Sequence, residues 1–228
     1  MRYVALACDY DGTLAEHGHV APRTVRALEE LRATGRRLIL VTGRLLEDLS
    51  AVFPQITLFD VVVAENGGVL YDVPGGNVES LAEQPSQDFV RKLRDRRVSP
   101  LSVGRVIVAT CEPHEHTVLK AIHDLKLERQ LIFNKGAVMV LPSGVDKASG
   151  LHHALQHLKL AAQNTVAVGD AENDLAMLSF CGCGVAVANA LESVKARADW
   201  VTDRDHGDGV VELIRALIES DLARLNPR

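Results

Sequence analysis

With 228 residues and a formal net charge of −5, the chain is long enough to bury a substantial core and too acidic to coat a nucleic acid, which needs a strongly basic surface. No run is apolar for long enough to span a bilayer, and the first residues read as a strand without signal-peptide layout, so a cytoplasmic protein with no membrane partner is expected. Cys8, Cys111, Cys181 and Cys183 sit in apolar settings and read as small buried hydrophobes, not as a disulfide framework.

In chain order, Val4-Ala5-Leu6-Ala7-Cys8 predicts a buried strand over 3–8 that delivers Asp9-Tyr10-Asp11-Gly12-Thr13 at its carboxyl end. Asp9 can serve as nucleophile and metal ligand while Asp11 handles protons. Gly12 lets the backbone turn close to an anion, and Thr13 offers a hydroxyl to the same loop. An amphipathic helix follows near 22–34. A second strand, 37–41, then runs into Thr42-Gly43-Arg44, a hydroxyl, free amides and a guanidinium that form a phosphate cradle ahead of a helix near 45–52. A third strand, 61–64, leads into Ala64-Glu65-Asn66-Gly67-Gly68.

From about 81 to 144 the strand–helix alternation breaks. Helical patterns near 86–97 and 116–127, a strand at 106–109, and a hairpin of Leu131-Ile132-Phe133 and Val138-Met139-Val140-Leu141 around Asn134-Lys135-Gly136-Ala137 read as a small α+β unit. Asp72 to Gly76 and Pro142-Ser143-Gly144 supply turn residues at its borders and are expected hinges. The basic run Arg91 to Arg97 reads as a solvated helix face. His114 and His116, alternating with Glu112 and Glu115, are open to two readings, a transition-metal pair or the start of the following helix.

Alternation then resumes. A helix over 147–158 starts at Lys147, which can hold Asp9 ionised. Strand 164–168 ends in Gly169-Asp170-Ala171-Glu172-Asn173-Asp174, a second acidic cluster able to complete an oxygen shell for Mg²⁺. Strands 183–187 and 199–202 alternate with helices near 172–179, 191–197 and 208–219, and Leu222 to Arg228 is expected to fray. The fold class is α/β, a doubly wound parallel sheet with motifs at strand ends, where such sheets bind ligands.

These four clusters together resemble the haloacid dehalogenase (HAD) superfamily of phosphohydrolases. The first motif corresponds to Asp9 to Thr13, the second to Thr42, the third to Lys147 and the fourth to Gly169-Asp170 with Asn173-Asp174. The position of the insertion resembles a type II cap, and Ala64 to Gly68 resembles the loop that enters caps of the IIB branch. The resemblance implies a HAD-like core of residues 1–80 and 145–228 and a cap domain of residues 81–144. It implies a Mg²⁺-dependent phosphatase acting on a small phosphorylated metabolite, a sugar phosphate or a phosphoglycolate-like ester, through an aspartyl-phosphate on Asp9. Mg²⁺ would be held by the Asp9 carboxylate, the Asp11 carbonyl and Asp170, with Asn173 and Asp174 in or near the shell. Thr42 and Lys147 would grip phosphoryl oxygens, with Gly12, Thr13 and Gly43 lining the phosphate site. Arg44, Asn66 and Lys135 are candidates for reading the leaving group. The layout is similar to small phosphoglycolate phosphatases, which tend to carry Asn where this chain has Arg44. A phosphohexomutase shares the same chemistry, and a non-enzymatic phospho-receiver shares the acidic pocket on a smaller chain.

Overall fold

The computed structural model describes residues 1–223, and the expectation of fraying over the last residues lies mostly outside that span. Leu222, at its start, is buried against the core.

Six segments rich in Val, Leu, Ile and Ala form β1 (Ala5–Asp9), β2 (Arg37–Val41), β3 (Val61–Ala64), β10 (Thr165–Gly169), β11 (Cys183–Ala186) and β12 (Trp200–Val201). Between them come β4 (Val69–Asp72), β5 (Asn77–Ser80), β6 (Ser102–Val103), β7 (Val108–Cys111), β8 (Arg129–Asn134) and β9 (Ala137–Pro142). The helices are α1 (Pro22–Ala33), α2 (Leu46–Val52), α3 (Gln87–Asp95), α4 (Glu115–Asp124), α5 (Lys147–Leu158), α6 (Leu175–Phe180), α7 (Glu192–Lys195) and α8 (His206–Ser220).

The main sheet runs β12-β11-β10-β1-β2-β3-β4-β5, and every pairing from β12 to β3 is parallel. The central strands β1, β2, β3 and β10 are buried on both faces apart from the first residue of β2, which explains their continuous apolar runs. In the sheet β1 lies between β10 and β2, with Ala5 opposite both Thr165 and Arg37. That register brings the carboxyl ends of β1 and β10, and with them Asp9 and Asp170, to the same edge of the core.

The sheet extends further than the alternating pattern indicated. β4 and β5 form an antiparallel hairpin on β3, so Asp72 to Gly76 is a tight turn inside the main sheet and not a hinge at its border. The expected strand at 106–109 starts two residues later, because Val106 and Ile107 pack into the apolar cluster of the main sheet. The expected helix near 172–179 is a short 3₁₀ turn, Glu172–Asp174, followed by α6.

The second sheet, ordered β6-β7-β9-β8, is antiparallel and is covered by α3 and α4. Phe89, Val90, Leu93, Val118, Ala121 and Ile122 bury the helix faces against Val108 and Val140. The other sides of α3 and α4 are charged. Arg96 and Lys92 meet Asp124 there, and Arg91 pairs with Asp88, so the basic run is partly neutralised at the surface. The β8–β9 hairpin turns through Lys135 and Gly136, both with positive φ, which suits a two-residue turn. His114 precedes α4, and its ring nitrogen meets the Ser99 carbonyl. No helix among the described residues is long and apolar enough to cross a membrane.

Candidate active site

Lys147 stands at the first position of α5 because Asp146 caps that helix. The Asp146 carboxylate accepts the Ser149 N–H at 2.8 Å, and the Ser149 hydroxyl accepts the Asp146 N–H at 2.9 Å. A cap of this kind contributes about 1 kcal/mol and fixes where the helix begins. The helix end can come this close because Gly67, at φ +106°, has no side chain: a Cβ there would lie 1.9 Å from the Asp146 carbonyl oxygen.

From that point the Lys147 ammonium reaches inward and donates to Asp9 Oδ1 and Asp174 Oδ1, each at 2.6 Å. All three side chains are buried. An unpaired buried ammonium costs several kcal/mol, roughly, so the two carboxylates are the condition for its being there. Burial alone would depress Lys147, but Asp174 and Asp9 outweigh it and hold the amine above its usual range, as a cation. Asp9 is pushed the other way from a normal carboxylate: burial and then Asp174 raise it, and Lys147 offsets only part of the rise.

Asp9, Asp170 and Asp174 bring carboxylate oxygens within 4.8 Å of one another. Asp170 is tied on both oxygens, Oδ1 accepting from the Thr13 hydroxyl at 3.2 Å and Oδ2 meeting the Lys135 ammonium from the β8–β9 turn. Burial raises its pKa, and Lys135 pulls it back in part. Asp174 spends Oδ1 on Lys147 and Oδ2 on the backbone N–H groups of Asp170 and Ala171, each at 3.0 Å. It is therefore the brace that orients Lys147 and the Asp170 turn. Gly12, at φ +84°, lies so near that a Cβ would fall 2.3 Å from Asp170 Oδ2.

Asp11 points to the site's open side, where Arg44 grips both its oxygens at 2.7 Å in a two-pronged ion pair. Thr42 is fully buried, and its hydroxyl accepts the Arg44 N–H at 3.1 Å. Gly43 leaves room for Met139 of β9. Asn66 accepts from Asn173 Nδ2 at 3.0 Å, leaving Asn66 Nδ2 and Asn173 Oδ1 buried without a partner among the described residues. The residues singled out in the sequence thus gather at one place, although Arg44 and Thr13 contact the acidic groups and not a shared anion pocket of their own. A cavity of about 510 Å³ between the β8–β9 hairpin and the Asn173 turn opens beside Lys135, with Glu112, Phe133 and Glu172 on its walls.

Sequence reasoning missed three residues here. Glu65, fully buried at φ +52°, accepts the N–H groups of Arg105, Val106 and Ile107 at 3.0, 2.7 and 3.0 Å. Asn189 and His206 both donate to the Gly12 carbonyl. The usable signal for the last two is position, since each is a polar residue shortly after a parallel strand, where such sheets place their sites.

Comparison with known proteins agrees with this geometry. The family model of haloacid dehalogenase-like hydrolases matches residues 6–103 and 104–214. A phosphoglycolate phosphatase of Methanothermobacter thermautotrophicus is 34% identical, with 92% of this chain and 97% of the relative aligned. The phosphoglycolate phosphatase of Methanosarcina acetivorans is 30% identical over 95% of this chain and 97% of the relative. Among solved structures, a haloacid dehalogenase-like hydrolase from Bacteroides thetaiotaomicron superposes with a TM-score of 0.80 at 20% identity, covering 94% of this chain and 99% of that one. A sugar phosphatase of HAD subclass IIB superposes with a TM-score of 0.74 at 23% identity, covering 93% and 98%. With its buried lysine–aspartate cluster at the carboxyl ends of β1 and β10 and a family match across both sheets, the chain belongs to the haloacid dehalogenase-like hydrolases.

Proposed function

We propose that the protein is a Mg²⁺-dependent phosphatase of a small phosphate monoester, with a phosphoglycolate-like or sugar phosphate as the substrate class. The observation that carries this reading is Asp9, a desolvated carboxylate 2.6 Å from the buried Lys147 ammonium and clustered with Asp170. The relatives' phosphoglycolate phosphatase names support the substrate class.

The donor set fits Mg²⁺: it is all oxygen, and its three carboxyl groups face only two ammonium groups, Lys135 and Lys147, so the cluster carries net negative charge once all three are ionised, as a bound cation would favour. Asp9, Asp170 and the Asp11 carbonyl would hold the ion, with Asn173 close by, while Asp174 orients the rest. When bound, the ion neutralises charge on the transferring phosphoryl group.

In the first step an Asp9 oxygen attacks phosphorus in line, the bond from phosphorus to the leaving oxygen breaks, and Asp11 gives that oxygen a proton. In the second step Asp11 takes a proton from water, water oxygen attacks the aspartyl-phosphate, and inorganic phosphate leaves Asp9 free. Lys147 and Thr42 stabilise the phosphoryl oxygens in both steps. Arg44 occupies both Asp11 oxygens, so proton transfer requires that grip to be exchanged for one on substrate. Residues 81–144 act as the cap, with Lys135 reading the leaving group from the β8–β9 turn.

The test is a panel of phosphate monoesters, phosphoglycolate and hexose phosphates among them, read by released phosphate with Mg²⁺ present. Release from one ester class, abolished in Asp9→Asn, is the expected result. Turnover by a folded Asp9→Asn variant, or release from none of the panel, overturns the reading.

A further inference from the structure

The loop carrying Asp9 and Asp11 is held from behind by two side chains that the phosphatase chemistry does not use. The Gly12 carbonyl accepts Asn189 Nδ2–H at 2.7 Å and His206 Nδ1–H at 2.8 Å. A carbonyl only accepts, so His206 carries its proton on Nδ1. The two donors are joined, because the His206 backbone N–H donates to Asn189 Oδ1 at 2.7 Å. That last bond orients the Asn189 amide with its NH₂ toward Gly12. His206 sits at φ +47°, a conformation that costs a non-glycine residue about 1 kcal/mol or more.

On the other side of the same peptide lie the groups that matter. Gly12 is packed against Asp170, and the Thr13 hydroxyl donates to Asp170 Oδ1 at 3.2 Å. The Thr13 N–H, which a trans peptide aims away from the Gly12 carbonyl, donates to no protein acceptor among the described residues. Thr13 is fully buried, so this amide is a buried donor without a partner among the described residues, on the residue whose hydroxyl meets Asp170.

We propose that Asn189 and His206 are positioning residues that clamp the Gly12 carbonyl, so that the Gly12–Thr13 peptide presents its N–H inward and keeps the Asp9 loop in register with Asp170. The clamp ties the ends of β11 and β12 to the end of β1. Neither side chain touches substrate. They act by fixing one peptide plane, and the loop's shape in turn sets where Asp9 and Asp11 stand. The proposal rests on the phosphatase reading of Asp9.

The test uses Asn189→Asp, which keeps the acceptor for the His206 N–H but removes the donor to Gly12, together with His206→Gly and His206→Asn. Glycine tolerates the left-handed backbone without a side-chain donor, and asparagine tolerates it while retaining an amide donor. Loss of an orienting partner of this kind costs about ten- to a hundredfold. The expected result is a kcat fall of that size in Asn189→Asp and His206→Gly, with KM changed less than about threefold and with kcat substantially restored in His206→Asn. Mg²⁺ affinity, measured by calorimetry without turnover, should weaken in the same order. Unchanged kcat in folded variants overturns the proposal, as does a loss that tracks only the folded fraction seen by circular dichroism. An inactive wild type with this calorimetric ordering intact would sink the phosphatase reading and spare the clamp.

Discussion

The attack on phosphorus proposed for Asp9 favours a poorly solvated carboxylate, and Asp9 is desolvated at a cost to the fold. It is 3% exposed, and burial with the nearby Asp174 raises its pKa from the ordinary value toward about 8. A carboxyl whose folded pKa lies above its unfolded value, about 3.9, imposes no penalty below that value. The penalty grows as pH rises through the window between the two and is full above the folded pKa. Asp9→Asn keeps the shape and removes the charge, and Lys147 retains Asp174 as its partner. In metal-free buffer the variant is therefore expected to be inactive and to melt higher than wild type, with the gap widening from pH 4 toward pH 8. Melting curves across that range check the sign, and a variant that melts lower at pH 8 contradicts it. At this scale the acidic residues were legible because Asp-X-Asp-Gly-Thr and Gly-Asp follow apolar strands. Lys147 was legible only in their company, since a lone lysine is normally exposed. Asn189 and His206 were harder to read, because a side chain that serves a backbone carbonyl on a distant loop leaves no motif beyond its position shortly after a parallel strand.

Among the elements, the turn after β3 does the most joining. Its Glu65 and Asn66 backbone amides donate to the carbonyls of Arg44 and Thr42, each at 2.9 Å, while the Glu65 carboxylate gathers three amides from the segment entering β7. The backbone and side chain of one residue, Glu65, thereby link the Thr42–Arg44 loop to the segment entering the second sheet. Glu65→Gln keeps one accepting oxygen but turns an NH₂ toward N–H donors, so at least one of the three amides loses its partner. Hydrogen bonds to a charged group contribute about 1.5–3 kcal/mol each, so a loss of roughly 3 kcal/mol in urea denaturation is expected. Hydrogen exchange at one or more of Arg105, Val106 and Ile107 should accelerate in step. A variant with unchanged stability and protection at those amides would show that the carboxylate is not the fastening. The strands with long apolar runs were legible from periodicity. The β4–β5 hairpin was not, because its edge residues, Asn77-Val78-Glu79-Ser80, are exposed apart from the half-buried Val78 and carry too weak an alternation to stand out from the turn at Pro74-Gly75-Gly76.

The molecule as a whole is less divisible than its two sheets imply. Val106, Ile107, Met139 and Leu141 of the inserted segment belong to the same apolar cluster as the main sheet, so removing that segment would strip cover from the core as well as from the site. Across the chain the formal charge is −5, and the buried share of that negative charge is concentrated where β1 and β10 end. A folded site with clustered carboxylates binds a divalent cation that the unfolded chain, with those groups dispersed, binds far less well. Mg²⁺ should therefore raise the melting temperature, with the rise continuing logarithmically once the free ion exceeds its Kd. The stabilisation is about 2.7 kcal/mol when free Mg²⁺ reaches a hundred times its Kd, and chelator should reverse it. Ca²⁺ should stabilise the fold too yet fail to support turnover, because its larger and more flexible shell tolerates a geometry in which the Asp9 oxygen is misplaced. Asp170→Asn is the control that locates the effect. It leaves Lys135 without its carboxylate and weakens the cluster, so its Mg²⁺-dependent rise should be largely lost while Asp48→Asn, on exposed α2, responds as wild type does. An equal rise in Asp170→Asn and wild type would place the cation elsewhere on the surface and would remove the metal from the proposed mechanism.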